Sequence, residues 1–362
     1  MAIAYERKAS IRARSRGGRI ETGIDIETGT MEMDLPMGSK GMLEEIRWGL
    51  SRPQKQLPSK FFYDTRGSEL FEAITELPEY YLTRTETGLL KTPVSGWVAD
   101  MAPASLVELG AGSARKTRIL LAAMAPGIPE GVHKSTYERT YKRTYAPVDV
   151  AGDFLLATAE LLRVEDPSLD IRPQVRDITW DLDFVDDLPG PVLIALLGST
   201  IGNFVGKPAR ELLSNVRSAM GESDLFLLGA DLRPGEGKTI ERLEAAYNDT
   251  QGVTAQFNLN MLRVLNRDAG TDFDLSAFRH RAFYNEGEGR IEMHLVAETA
   301  QEVRIPGGDV ARIGAGESIR TELSCKYDRP VLTGMLEAAS LEIVRWCTDE
   351  DGLYAMALVS PT

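Results

Sequence analysis

Between residues 85 and 232 strand-like runs alternate with helix-like stretches, and this alternation restricts the chain to few architectures. Ser105-Leu106-Val107-Glu108-Leu109, Tyr145-Ala146-Pro147-Val148-Asp149-Val150, Ile171 to Val175, Val192 to Leu197 and Leu225 to Ala230 read as strands. Arg115 to Met124 and Phe154 to Leu162 read as helices between them. Parallel strands need crossover connections, usually helical, so the order predicts an α/β fold with a parallel sheet. The last two strands are nearly all apolar, as strands covered on both faces are.

The flanking segments keep a different rhythm. Leu43, Ile46 and Leu50 share one face of a helix that Pro53 closes. Phe61-Phe62-Tyr63-Asp64 leads into a short amphipathic helix from Ser68 to Ile74, and Leu77 to Glu86 reads as a Tyr-rich loop of the kind that lines a site. One long helix is expected over 239–265, then strand-like runs between 273 and 320 such as Arg290 to Val296. The core rhythm returns with a helix over 331–339 and strands over 341–346 and 354–359. These patterns predict a Rossmann-like core, 85–237 with 326–362, interrupted by a second, α+β domain built from 39–84 and 238–325. Residues 1–38 read as a basic flexible tail, with Arg7, Lys8, Arg12, Arg14, Arg16 and Arg19 against Glu6 alone. Residues 127–144, with Tyr137 and Tyr141 among Lys134, Arg139, Lys142 and Arg143, read as a surface excursion.

Composition removes several classes of function. A net charge of −13 over 362 residues opposes dedicated nucleic-acid or anionic-membrane binding, both of which need a basic face. No apolar run long enough for a membrane span and no signal-peptide core is present, so a cytoplasmic protein is expected. Only Cys325 and Cys347 occur among cysteines, and only His133, His280 and His294 among histidines, with no CxxC or HExxH. No metal site is expected, and chemistry without a metal or a histidine triad is.

The first strand runs into Gly110-Ala111-Gly112 and a helix, a turn in which glycine permits left-handed dihedrals and close approach of a ligand. Arg115 stands where a dinucleotide fingerprint needs its third glycine, and the lysine of a phosphate-binding loop is out of register. The remaining pattern, Glu108-x-Gly110-x-Gly112, is the first-strand turn of S-adenosylmethionine-dependent methyltransferases. Asp149, ending the second strand, can accept both hydroxyl hydrogens of a ribose, and Asp177, after the third, can accept from an adenine amino group. Each acid by itself equally fits a turn or helix cap.

Five motifs in order then carry a resemblance: Phe62-Tyr63-Asp64, Leu77-Pro78-Glu79-Tyr80-Tyr81, Thr83-Arg84-Thr85-Glu86, Leu197-Gly198-Ser199-Thr200-Ile201-Gly202-Asn203-Phe204 and Glu322-Leu323-Ser324-Cys325-Lys326. Over roughly residues 41–360 the chain resembles the L-histidine Nα-methyltransferase family of ergothioneine biosynthesis. The resemblance implies a Rossmann-like class I methyltransferase core and threefold methylation of the α-amine of L-histidine from S-adenosylmethionine. It implies cofactor contacts at Gly110, Lys116, Asp149, Asp177, Ile178 and Gly198. It places the amino-acid head group on Tyr80, Asn203 and Tyr247, with Tyr80 and Asn203 at the reacting centre. The imidazole falls to Tyr63, Glu322 and Ser324, next to Leu323, with Phe71 and Met293 shaping the pocket. His294 is expected to face away from Met293. The alternative acceptor is another aromatic amino acid or a derivative of one; a monomer acting on a small molecule is expected.

Overall fold

The computed structural model describes residues 37–124, 143–180 and 182–362. The basic tail and nearly all of the expected surface excursion lie outside the described residues; Thr144 at its end already belongs to a strand.

Helix α1, Met37–Leu50, buries Leu43, Ile46 and Leu50, as their spacing predicts. A two-residue strand β1, Lys55–Gln56, and a 3-10 turn over Ser59–Phe62 lead to α2, Thr65–Thr75, whose first turn is capped by Asp64 accepting from the Gly67 N–H at 2.8 Å. The Tyr-rich segment differs from the loop expected: α3 spans Tyr81–Leu89, with Tyr80 at its N-cap. Its run of Tyr, Leu and Thr lacks the polar cap from which a helix start is read, whereas packing buries Tyr81, Leu82, Glu86 and Leu89 on one side. Helix α4 follows at Ser95–Met101.

The large sheet contains β2 (Ser105–Leu109), β3 (Thr144–Asp149), β4 (Asp170–Ile171), β5 (Gln174–Val175), β6 (Val192–Leu196), β7 (Leu225–Asp231), β13 (Leu341–Thr348) and β14 (Tyr354–Pro361). Its order is β13-β14-β7-β6-β2-β3-β4, with β5 also on β3; β14 is antiparallel to both neighbours, and the remaining pairs are parallel. Helices α5 (Thr117–Ala123), α6 (Gly152–Glu165) and α7 (Lys207–Ala219) lie between the parallel strands in sequence. Every residue of β2 and β6 is buried, which explains the unbroken apolar run of β6, while β2 carries Ser105 and Glu108 among its apolar residues. The third expected strand is two short pieces, because Pro173 between β4 and β5 has no N–H to give to β3. This is a Rossmann-like α/β core.

The expected long helix over 239–265 is broken into α8, Ile240–Ala245, and α9, Val253–Val264. Asp249 accepts from the N–H groups of Val253 and Thr254 at 2.8 and 2.7 Å, and Gly252 sits at φ +72°, so the intervening turn starts a new helix. The second sheet is ordered β1-β12-β9-β8, from β8 (Phe278–Asn285), β9 (Arg290–Ala297) and β12 (Ser318–Cys325), with a hairpin of β10 (Gln301–Ile305) and β11 (Asp309–Ile313) beside it. Helix α10, Arg329–Glu337, returns the chain to the large sheet. Among the described residues no helix is long and apolar enough to cross a membrane.

Candidate active site

The carboxyl ends of the parallel strands meet one cavity of about 680 Å³. Crevices at strand ends are where open α/β sheets bind ligands. Gly110 and Gly112 follow β2 with φ of +77° and +51°, and none of the described residues lies within 4 Å of where a Cβ would stand on either. Asp149, at the end of β3, accepts from the Gly112 N–H at 3.1 Å and the Ala151 N–H at 2.9 Å. A carboxylate has about four lone-pair positions, so it can accept further donors. Asp177 accepts from the N–H and hydroxyl of Thr179 at 2.9 and 2.7 Å, which fixes its side chain beside Ile178 on the cavity wall.

Lys116 and Gly198 complete this wall, and behind them stands a residue to which the sequence analysis assigns no role. Glu86 of α3, fully buried, accepts from Lys116 Nζ at 2.6 Å, the Gly198 N–H at 2.8 Å and the Tyr354 hydroxyl at 2.7 Å. The glycine-turn side, the turn after β6 and the segment carrying Tyr80 therefore share one buried carboxylate.

An inner recess of about 60 Å³ shares part of the same wall. Tyr63, Phe71, Tyr80, Gly198, Asn203 and Glu322 line both spaces. Tyr247, Met293 and Ser324 line the recess, and Leu323 borders the wider cavity. All the site residues expected from the sequence thus meet at one continuous concavity. Aromatic rings form one side through edge contacts, with Tyr63 to Phe71 at 6.0 Å, Phe71 to Tyr80 at 6.4 Å and Tyr80 to Tyr247 at 6.3 Å between centroids. Burial, together with neighbouring acids and phenols, holds the hydroxyls of Tyr63, Tyr80 and Tyr247 well above the usual tyrosine pKa, so all three are neutral phenols at physiological pH.

The opposite side is made by a bulge. Arg320 pairs with His294 and Glu322 with Met293, leaving Thr321 as the extra residue. Adjacent residues of β9 face opposite ways, so the bulge turns Glu322 onto the Met293 face, away from the face of Arg320 and His294. His294 hydrogen-bonds Ser318 at 2.9 Å and Glu292 at 3.1 Å on that other face, in accord with expectation. Glu322 has no hydrogen-bond partner among the described residues, and burial pushes its carboxyl up to about 7 against the pull of Lys326. Ser324, two residues on, shares its face.

Asn203 ends the 3-10 turn Thr200–Asn203, which lies against β12 through Gly202. A Cβ on Gly202 would stand 2.8 Å from the Cys325 carbonyl oxygen and 3.1 Å from its nitrogen. Glycine is needed here for approach, not for its dihedrals. Gly202→Ala is expected to destabilise the protein by about 1–3 kcal/mol through overpacking, measurable by urea denaturation; an unchanged midpoint would contradict this packing.

The sequence also separated Tyr247 from Ser324 in function, whereas the structure joins them with a 2.9 Å hydrogen bond between hydroxyls. Behind them lies a buried charged cluster that sequence reasoning missed. Asp231, at the end of β7, is met by Lys326 at 2.7 Å, Lys238 at 2.5 Å and the Tyr81 hydroxyl at 2.9 Å. Burial by itself would raise the Asp231 pKa, but the two lysines outweigh it and hold it below the usual range. The period-two spacing of Glu322, Ser324 and Lys326 was the available signal for Lys326. Nothing local marks Asp231 or Lys238.

A model of the family described as histidine-specific, S-adenosylmethionine-dependent methyltransferases matches residues 42–361. The chain is 39% identical to a histidine N-alpha-methyltransferase of Mycolicibacterium smegmatis, over 88% of this chain and 95% of that one. It is 39% identical to the protein of the same name from Mycobacterium tuberculosis, over 89% and 96%. A Neurospora crassa protein named ergothioneine biosynthesis protein 1 is 29% identical over 84% of this chain and 33% of its own length.

Proposed function

The chain belongs to the family of histidine-specific, S-adenosylmethionine-dependent methyltransferases, and from that premise we propose that it trimethylates the α-amine of L-histidine, giving hercynine for ergothioneine synthesis. The observation that carries the reading is the pairing of a wide strand-end cavity with an inner recess in which Glu322, a carboxylate with no hydrogen-bond partner among the described residues, stands beside hydroxyls and an amide.

The residues present fit the methyl donor: an open glycine turn, an acid after β3 with spare lone pairs and an acid after β5 lie in that order along one wall. Gly110 lets the ligand approach the backbone, Asp149 accepts from the ribose hydroxyls, and Asp177 with Ile178 takes the adenine. Lys116 and Gly198 hold the amino-acid end of the donor. When bound, S-adenosylmethionine supplies an electrophilic methyl carbon on a sulfonium.

The chain's own work is binding, orientation and exclusion of water. Asn203 donates its amide to the histidine carboxylate, Tyr80 and Tyr247 bound the head group, and the amine is left at the junction of recess and cavity. A neutral donor set leaves the amine unpaired with any protein carboxylate, so it can lose its proton and attack. Tyr63, Tyr80 and Tyr247, kept as phenols by burial, do not serve as bases; Tyr63 and Tyr80 orient by donating, Tyr247 bounds the head group with its ring, and the proton leaves to water through the wider cavity. Glu322 and Ser324 take the imidazole, against Tyr63, Leu323 and the Phe71 and Met293 walls. In this reading 39–84 and 238–325 form the substrate-binding domain, and 85–237 with 326–362 the cofactor-binding domain.

Mass spectrometry of histidine incubated with the protein and S-adenosylmethionine tests the proposal. Successive gains of one, two and three methyl groups, located on the α-nitrogen by fragmentation, are expected; methylation on the ring, or none, would contradict it.

A further inference from the structure

Lys326 is buried and lines neither the cavity nor the recess, yet its ammonium decides what the recess wall offers. Its Nζ donates to Asp231 at 2.7 Å, to Ser324 Oγ at 2.8 Å and to the Tyr247 hydroxyl oxygen at 2.9 Å. An ammonium has three protons and accepts nothing, so these partners exhaust it and both hydroxyl oxygens must accept. The two oxygens also share one hydrogen bond of 2.9 Å. Two hydroxyl protons remain: one closes that bond, and the other is left to point outward. A phenol is the better donor and poorer acceptor of the two, so Tyr247 donates to Ser324, and the Ser324 O–H faces the recess. On the same face of β12 stands the Glu322 carboxylate, which only accepts when ionised. The wall thus presents one donor and one acceptor side by side, and the ammonium behind the donor opposes a second cation.

We propose that Lys326 is a positioning residue that fixes this polarity, so that the recess takes a neutral imidazole, its N–H on Glu322 and its bare nitrogen under Ser324, and disfavours imidazolium and rings that only donate. The inference rests on the histidine reading above. Lys326 is held in one place because Asp231 ends a strand of the large sheet, while Lys326 itself follows β12 of the small one.

Lys326→Met leaves Asp231 its contacts with Lys238 Nζ and the Tyr81 hydroxyl, so no buried carboxylate is orphaned. The test is calorimetric binding of L-histidine and of the 2- and 3-pyrrolyl analogues of alanine, whose rings carry an N–H and no acceptor nitrogen, with S-adenosylhomocysteine present. Wild-type protein is expected to favour histidine over either analogue by about tenfold or more. Lys326→Met is expected to narrow that ratio to within about threefold by weakening histidine alone, with S-adenosylhomocysteine affinity unchanged, an outcome a merely structural loss would not give. A variant that binds S-adenosylhomocysteine normally and keeps the wild-type ratio overturns the inference and leaves the histidine reading intact. Wild-type protein that binds no histidine overturns both. A second measurement needs no variant: nitrogen NMR of ring-labelled histidine bound to wild-type protein should show one protonated and one bare ring nitrogen, and two protonated nitrogens would overturn the inference.

Discussion

Glu322→Gln is expected to lower kcat/KM for L-histidine about 100-fold, the loss of one charge-assisted hydrogen bond to the substrate ring. S-adenosylmethionine binding should be unchanged, because Glu322 lines the recess, which the glycine turn does not reach. The same substitution has a second, opposite signature in the free protein. Burial raises the Glu322 pKa to about 7 in the folded state, from about 4.5 when unfolded. The folded state therefore holds the proton more tightly, so stability falls as pH rises from the unfolded value to about 7 and stays lowered above it. Glutamine does not ionise, so Glu322→Gln should melt higher than wild-type at pH 8 and show little difference at pH 4. Thermal melts at the two pH values check this. A variant destabilised equally at both would mean that the carboxylate has a partner and is not a free acceptor for the substrate.

Asp149→Ala is expected to weaken S-adenosylhomocysteine binding about 100-fold, since it removes the acceptor for two hydroxyl donors and also the side chain that holds the Gly112 N–H. Asn in its place keeps one acceptor oxygen and should fall between the two. Calorimetric titration decides it. Binding within about threefold of wild-type would remove Asp149 from the cofactor site, because a charge-assisted bond is worth more than that.

What could be read from the sequence was what is local. The turn at Gly110 and Gly112 and the acid Asp149 sit at the ends of strands that their apolar residues mark, and Asp177 follows the short pair β4 and β5 next to them, so their meeting follows from topology once the parallel sheet is recognised. Glu322 and Ser324 were legible as a period-two pair, although the bulge at Thr321, which sets the face they occupy, leaves no mark in the residue pattern. The split of 239–265 was missed because apolar spacing continues across the turn, and only Asp249 and Gly252 mark it. Least legible were the buried charges. Glu86 and Asp231 look like ordinary surface acids in a chain rich in them, and only the tertiary fold brings Lys116 to one and Lys238 and Lys326 to the other. Burial of such groups is tolerable only with partners, and of these Lys238 alone lies near in the chain, seven residues from Asp231.

Selection of histidine by the recess is the central claim, and a competition measures it most directly. All twenty amino acids at equal concentration are incubated in one vessel with the protein and S-adenosylmethionine, and methylated species are counted by mass. The account predicts one, two and three methyl groups on histidine and none on tryptophan, tyrosine or phenylalanine. Methylation of another aromatic amino acid at a rate equal to that of histidine would contradict it.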